Sequence, residues 1–184
     1  MGGSGVQSLR PAGPWWRGSS HSATAVRLLD TRPDQLAWAL AFHGTFEHTL
    51  DAKNRLTVPS KFRAALAGRV FLVKAVDRCI SVYPEDTYSA FTRDALSGLN
   101  PFTPQARELK RMLYGNAMDV ELDGAGRIMV PASYLEHAGI ASRDVVVTGA
   151  GDSLELWDRG TWQAYHADLT RRAPDLTASL GHPA

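Results

Sequence analysis

The sequence has almost no cysteine. Among its 184 residues only Cys79 is a cysteine, which excludes an internal disulfide and a cysteine-rich metal site. It lies in an apolar Cys-Ile-Ser-Val segment, where a small buried side chain is expected. Such sparse cysteine usage is typical of a reducing compartment, so we expect a cytoplasmic protein.

Long hydrophobic runs and a strong excess of one charge are also missing. No apolar stretch approaches the roughly 18 residues of a membrane helix, so no membrane partner is expected. The formal net charge is +1, so composition alone does not predict a nucleic-acid partner. The distribution says more, because residues 51–78 hold seven Lys or Arg against two acids, whereas residues 123–152 hold two against four. This predicts a cationic surface on the first half of the chain only.

The sequence also lacks the patterns that indicate catalysis. Its six histidines show no metal-ligand spacing, and no glycine-rich phosphate-binding loop is present. His48, Cys79 and Asp51 could in principle supply a base, a nucleophile and an orienting carboxylate, but no motif brings them together. We therefore expect no enzyme, no catalytic residue, no metal ligand and no cofactor.

What the sequence does contain is an internal repeat. Residues 50–59 return 72 positions later as residues 122–131, with five of the ten residues identical. The retained residues include an Asp-x-x-x-Arg motif, followed after two further residues by Val-Pro. A fixed-offset repeat decides the architecture, and a duplicated surface suits a repetitive ligand better than it suits catalysis. The repeat favours a binding protein.

The predicted secondary structure repeats in the same order around the two motifs. In each unit two short strands flank a turn, a short helix opens at a proline, and a hairpin and a helix follow. The predicted ranges are strands 45–50, 55–58, 70–75 and 80–83 with helices 60–66 and from 84 in the first unit, and strands 117–122, 127–130, 145–148 and 154–157 with helices from 131 and around 162–169 in the second. A helix at 104–114, capped by Thr103, links the units.

These patterns predict five segments along the chain. Residues 1–41 are rich in Gly, Pro, Ser and Arg without a sustained apolar period, so we expect a flexible N-terminal extension. The other four are a first repeat at 45–87, linking helices at 88–116, a second repeat at 117–160, and a C-terminal helix and tail at 161–184. Strands this short cannot close a sheet within one unit, so the two units should complete each other's sheet.

The Asp-x-x-x-Arg turn is suited to binding DNA. Asp51 and Asp123 can each cap the backbone N–H groups of their turn and orient the arginine four residues on. The guanidinium groups of Arg55 and Arg127 match phosphate or the acceptor edge of guanine. These four residues are therefore candidate DNA-binding residues.

Two further cations extend the candidate site on the side of the first turn. Lys53 lies at the tip of that turn and offers a point charge for phosphate, whereas the second turn, Gly-Ala-Gly, has no lysine. Arg63 follows on the short helix. Two alternatives remain open: the motifs could be salt bridges that only lock the turns, or the aromatic helix faces could mark an oligomerisation scaffold.

The segment at 44–63, G-T-F-E-H-T-L-D-x-K-x-R-L-T-V-P-S-K-F-R, with the second Asp123-x-x-x-Arg127, resembles the MraZ family of bacterial transcriptional regulators. The resemblance covers about residues 43–170. It implies an α+β fold, namely an AbrB-like double-split β-barrel of the swapped-hairpin type, built from two internal repeats with flanking helices. It also implies DNA binding through the two Asp-x-x-x-Arg loops.

The same resemblance implies partners and a location. The expected partners are double-stranded DNA carrying short direct repeats, upstream of the protein's own operon in the division and cell-wall gene cluster, and further copies of the chain in a homo-oligomeric ring. The expected location is the cytoplasm, in association with the nucleoid. The alternative is an AbrB-type regulator or antitoxin with a different DNA target.

Overall fold

The computed structural model describes residues 42–179, which form eight strands and five helices. The strands are Thr45–Thr49 (β1), Arg55–Thr57 (β2), Arg69–Lys74 (β3), Ile80–Pro84 (β4), Ala117–Glu121 (β5), Arg127–Met129 (β6), Asp144–Gly149 (β7) and Leu154–Asp158 (β8). The helices are Ser60–Arg63 (α1), Glu85–Leu96 (α2), Pro104–Gly115 (α3), Ala132–His137 (α4) and Arg159–Ser179 (α5). The predicted extension at 1–41 lies outside the described residues.

The two repeats share one six-stranded antiparallel sheet. Its strand order is β1-β7-β8-β4-β3-β5, which places the hairpin of each repeat, β3–β4 or β7–β8, at the centre. The first strand of each repeat pairs with the hairpin of the other, so that β1 lies beside β7 and β5 lies beside β3. Neither repeat therefore completes the sheet without the other.

The core follows the alternation of side chains along these strands. Successive residues of a strand point to opposite faces, and most inward positions of the two hairpins are apolar. Eight of them, each no more than 1 % exposed, are Val70, Leu72, Ile80, Val82, Val145, Val147, Leu154 and Leu156. Burying a side chain of this size stabilises the fold by about 1.5–3 kcal/mol. The core thus holds the two hairpins together across the repeats.

A separate two-stranded ribbon carries the two motifs. Strands β2 and β6 are antiparallel, with Leu56 opposite Ile128 and Thr57 opposite Arg127. Leu56 and Ile128 are 1 % and 0 % exposed, so they anchor the ribbon in the core. The residues beside them point to the opposite face, which leaves Arg55 and Arg127 at the surface.

The expected α+β fold with an antiparallel sheet and two repeats is confirmed. Within residues 42–179 the pairings leave β1 and β5 as sheet edges and β2–β6 as a separate ribbon, so they do not close a barrel. Thr103 caps α3 as predicted, because its hydroxyl accepts the Ala106 N–H at 3.3 Å. The helix predicted at 60–66 is shorter, since it ends at Arg63 and continues as a turn. No helix in the described part is long and apolar enough to span a membrane.

Candidate functional site

The first loop, residues 51–55, is organised by one carboxylate. Asp51 Oδ1 accepts the backbone N–H of Lys53 at 2.8 Å and that of Arg55 at 3.0 Å. Its other oxygen, Oδ2, accepts the Arg55 Nε–H at 2.7 Å. The turn also needs a left-handed residue, which is Asn54 at φ 57°, an angle that asparagine tolerates better than most side chains. Asp51 thus fixes both the turn and the direction of the arginine.

The second loop, residues 123–127, has the same hydrogen bonds although it shares only the Asp and the Arg. Asp123 Oδ1 accepts the N–H groups of Ala125 at 2.9 Å and Arg127 at 3.0 Å, and its Oδ2 accepts the Arg127 Nε–H at 2.8 Å. The left-handed position is Gly126 at φ 73°. The local geometry therefore depends on the spacing of Asp and Arg and on a residue before the Arg that tolerates a positive φ.

The two loops, 72 residues apart in sequence, lie side by side. The Val58 N–H donates to the Gly126 carbonyl at 3.0 Å, and the equivalent Val130 N–H donates to the Asn54 carbonyl at 3.0 Å. Arg55 Nη1 also lies 3.8 Å from an Asp123 carboxylate oxygen. The two motifs consequently form one site across the β2–β6 ribbon.

Both carboxylates are ionised at neutral pH. The pKa of Asp51 falls from its ordinary value of 3.8 to about 2, mainly through the Arg55 backbone N–H and also through the Arg55 side chain. The pKa of Asp123 is lowered too, chiefly by the hydrogen bond from the Arg127 side chain, and that bond in turn raises the pKa of Arg127. The site thus holds two adjacent ion pairs at neutral pH.

The arginines retain the capacity to bind a ligand. The side chain of Arg55 is 27 % exposed and that of Arg127 is 32 % exposed. Arg55 bonds the Asp51 carboxylate through Nε, whereas Arg127 approaches Asp123 Oδ2 with both Nε and Nη2, each at 2.8 Å. A guanidinium has five N–H donors, so donors remain for an outside acceptor such as phosphate or a base edge. The same ion pairs also lock the turns, so the geometry serves the binding role and the structural role together.

Lys53 and Arg63 lie beside different loops. Lys53 is exposed at the tip of the first loop and forms no ion pair with any carboxylate in residues 42–179. Arg63, although it belongs to the first repeat, donates its Nε–H to the Val58 carbonyl at 2.9 Å and lies against Gly126 of the second loop. The sequence pattern missed this placement because residues 63 and 126 are far apart along the chain.

The predicted cationic surface of residues 51–78 is not continuous. Arg69 pairs with Glu85 at 3.3 Å, and Lys74 lies over the Tyr134 ring at 5.1 Å. Lys61 donates to the His43 backbone carbonyl at 2.9 Å and also lies over the Phe46 ring. Several of the seven cations therefore interact away from the loops.

The structure does not assemble the three residues considered for catalysis. His48 lies on the edge strand β1, while Cys79 precedes β4, which two other strands separate from β1 in the sheet order. Asp51 is held in its turn. Cys79 is buried, and burial raises the pKa of its thiol, the opposite of an activated nucleophile. Burial also lowers the pKa of His48. No cluster of His, Cys, Asp or Glu within residues 42–179 is suited to a metal ion.

Comparison with known proteins finds one family on both repeats. The family described as "MraZ protein, putative antitoxin-like" matches residues 41–112 and again residues 113–178. A protein of Nitrosomonas eutropha named Transcriptional regulator MraZ is 38 % identical over 125 residues, which are 66 % of this chain and 83 % of that relative.

Two further relatives with the same name cover more of the chain. The protein of Desulfitobacterium hafniense strain Y51 is 40 % identical over 139 residues, which are 75 % of this chain and 92 % of the relative. That of Leuconostoc citreum is 34 % identical over 139 residues, which are 76 % of this chain and 96 % of the relative. The similarity therefore extends over nearly the whole length of these relatives.

Proposed function

The chain belongs to the MraZ family, because both of its repeats match the family. We propose that it is a sequence-specific, DNA-binding transcriptional regulator. Its relatives carry the name of transcriptional regulators, which is not a class of enzyme. The observation that supports DNA as the ligand is the pair of adjacent Asp-x-x-x-Arg loops. They present two oriented guanidinium groups on one surface.

Each residue of the proposed DNA site has a distinct role. Arg55 and Arg127 supply donors to base edges or phosphates, and Asp51 and Asp123 hold them in direction. Lys53 neutralises a phosphate at the tip of the first loop. Arg63 completes the site because its guanidinium lies against the second loop.

We propose direct promoter repeats as the DNA target, upstream of the protein's own operon in the division and cell-wall gene cluster, and a cytoplasmic, nucleoid-associated location. Two loops per chain offer few base contacts, so one copy should bind weakly. A ring of copies that contacts several repeats would gain affinity through effective concentration. We also propose that the sheet and the separate ribbon, whose strand pairings do not close a barrel, are arranged as in the family's double-split β-barrel.

The exposed aromatic residues support self-association. Phe91 and Tyr165 occupy equivalent positions in the two repeats and are 39 % and 37 % exposed. Each stacks on a ring of its own repeat, with centroids 5.7 Å apart for Tyr83 and Phe91 and 5.0 Å apart for Trp157 and Tyr165. Light scattering should give a particle several times the 20.0 kDa of the chain. A clean monomer at micromolar concentration would contradict the ring.

A gel-shift experiment tests DNA binding directly. We expect the protein to retard the duplex upstream of its own reading frame at lower concentration than a scrambled duplex of equal composition. Arg55→Ala combined with Arg127→Ala should abolish this preference. Arg69→Ala is the matched control, because Arg69 pairs with Glu85 outside the loops. Retention of the preference by the double variant would contradict the proposed site.

The second candidate is an AbrB-type regulator or antitoxin that binds another DNA target. The words "antitoxin-like" in the family description are the observation that favours it. The genes beside the reading frame distinguish the two candidates, since an antitoxin gene adjoins a toxin gene.

A further inference from the structure

Arg63 ends a chain of hydrogen bonds that runs into the second loop. Its Nε–H donates to the Val58 carbonyl at 2.9 Å, and the Val58 N–H donates to the Gly126 carbonyl at 3.0 Å. The Gly126 N–H then donates to the carbonyl of Asp123 at 2.8 Å. Asp123 is the residue that holds Arg127.

The contact between Arg63 and the second loop requires a glycine at 126. A Cβ on Gly126 would lie 2.5 Å from Arg63 Nε and 2.7 Å from its Cδ, which is far inside van der Waals contact. Gly126 is itself buried although it belongs to a surface turn. The guanidinium of Arg63 thus packs directly on the backbone of the second loop.

The first loop has no such support. At the position equivalent to Arg63 the second repeat has Leu135, which is buried and cannot donate a hydrogen bond. At the first loop the Val130 N–H donates to the Asn54 carbonyl at 3.0 Å, as the Val58 N–H does to Gly126. The Leu135 side chain, however, has no donor for the Val130 carbonyl. At the position equivalent to Gly126 the first loop has Asn54, a residue with a Cβ. At these two equivalent positions, one side of the ribbon thus has Arg63 and Gly126, and the other side has Leu135 and Asn54.

We propose that Arg63 is a positioning residue for the second loop. It holds the Gly126 end of that loop against β2 and so sets the direction of Arg127 relative to Arg55. This inference rests on the proposed function, because the ligand of the positioned arginine is DNA. A consequence is that the two loops read DNA with different rigidity, since only the second has an arginine of the other repeat packed on its backbone.

Two substitutions copy the first-loop pair into the second loop. Arg63→Leu introduces the residue found at 135, and Gly126→Asn introduces the residue that adopts φ 57° at 54. Asparagine therefore tolerates the backbone at 126 while its Cβ displaces Arg63. Arg69→Leu is the control, because it removes an arginine that pairs with Glu85 instead.

The first measurement is the affinity for the upstream duplex at several salt concentrations. Each single variant should bind roughly threefold to a hundredfold more weakly, the range for neighbours in one hydrogen-bond network. The double variant should be no weaker than either single variant, since both break the same contact. The salt dependence should stay that of the wild type. Arg63→Leu could instead lower the slope of log affinity against log salt concentration by about 0.9 while Gly126→Asn binds normally. In that case Arg63 is a phosphate contact and the positioning role is wrong.

The second measurement needs no DNA. The Nε–H resonances of Arg55 and Arg127, in protein labelled with ¹⁵N-arginine, report the two Asp–Arg hydrogen bonds separately. In Arg63→Leu the Arg127 signal should shift and exchange faster, while the Arg55 signal changes less. An unaltered Arg127 signal overturns the proposal, as does a lower melting temperature with unchanged affinity of the folded protein. If the wild type fails to bind the duplex, the proposed function is wrong, yet this measurement still decides whether Arg63 positions the loop.

Discussion

The two Asp-x-x-x-Arg loops share a backbone but not their surroundings. Their three Asp hydrogen bonds agree within 0.1 Å, and both have a left-handed residue before the arginine. The first loop has Lys53 at its tip, where the second has Ala125. Arg63 packs against the second loop, whereas the residue equivalent to Arg63 in the second repeat is the buried and uncharged Leu135. The turn is conserved between the repeats, whereas the charge around it is supplied differently.

This difference corrects the count of cations made from the sequence. The pattern assigns two basic groups to the first loop and one to the second. The structure adds Arg63 to the second, so each loop has two cations, one of them borrowed from the other repeat. A site built from two repeats can thus have balanced charge although its two segments differ.

A second pair of equivalent positions also differs in charge between the repeats, since both repeats have an ion pair there but with the acid and the base exchanged. Arg69, the first residue of β3, pairs with Glu85 at the start of α2 at 3.3 Å. At the equivalent places Asp144 pairs with Arg159, at the start of α5, at 3.6 Å. Glu85 also suits the positive end of its helix, whereas Arg159 does not. In both repeats the first residue of a strand forms an ion pair with the first residue of a helix. The positive charge lies on the strand in the first repeat and on the helix in the second.

The largest expected effect tests whether the two sides of the ribbon are equally important to stability. Leu56→Ala and Ile128→Ala each remove a fully buried side chain and should lower the free energy of unfolding by about 2–5 kcal/mol. Urea denaturation of the two variants measures this. A cost on one side only would show that the ribbon is anchored by a single repeat.

The second prediction compares the arginines. Arg55→Ala and Arg127→Ala should each weaken binding to the upstream duplex roughly tenfold to a hundredfold, the range for losing a bidentate base contact. Lys53→Ala combined with Arg55→Ala should cost more than Arg127→Ala, because it removes two cations. Defects should be larger on DNA with several repeats than on one. Variants that unfold while the folded fraction binds normally would mean that the loops are only structural.

The third prediction concerns acid stability. The pKa of Asp51 is depressed from 3.8 to about 2 in the folded protein, so its contribution is complete above pH 3.8 and is lost as the pH falls towards 2. Asp51→Asn should therefore flatten the fall in melting temperature between pH 4 and pH 2. Asp123→Asn should act in the same direction, because the pKa of Asp123 is also lowered. A variant with the full wild-type acid dependence would contradict this assignment for its loop.

The smallest expected effect comes from exchanging the residues at the tips of the two loops. Lys53→Ala should reduce the slope of log affinity against log salt by about 0.9, for specific and scrambled DNA alike. Ala125→Lys should raise the slope by about the same amount if the second tip also faces a phosphate. Fluorescence anisotropy across a salt series measures both. An unchanged slope in Lys53→Ala would remove Lys53 from the DNA site.

Much of the fold could be predicted because its signals are local or duplicated. The strands, the prolines that open α1 and α4, and the Thr103 cap depend on neighbouring residues and appear near the predicted positions. The ends of α1 and α5 were less predictable. The helix α5 extends to Ser179 and includes Pro174, which a sequence pattern would place at a boundary.

The sequence by itself determined the two turns, because the Asp hydrogen bonds that shape each of them join residues no more than four apart. Only the tertiary structure decided that the turns lie side by side and that Arg63 reaches Gly126. Those contacts depend on the pairing of β2 with β6, strands that begin 72 residues apart. A local pattern specifies the shape of a turn, but the packing of the whole core chooses what lies next to it.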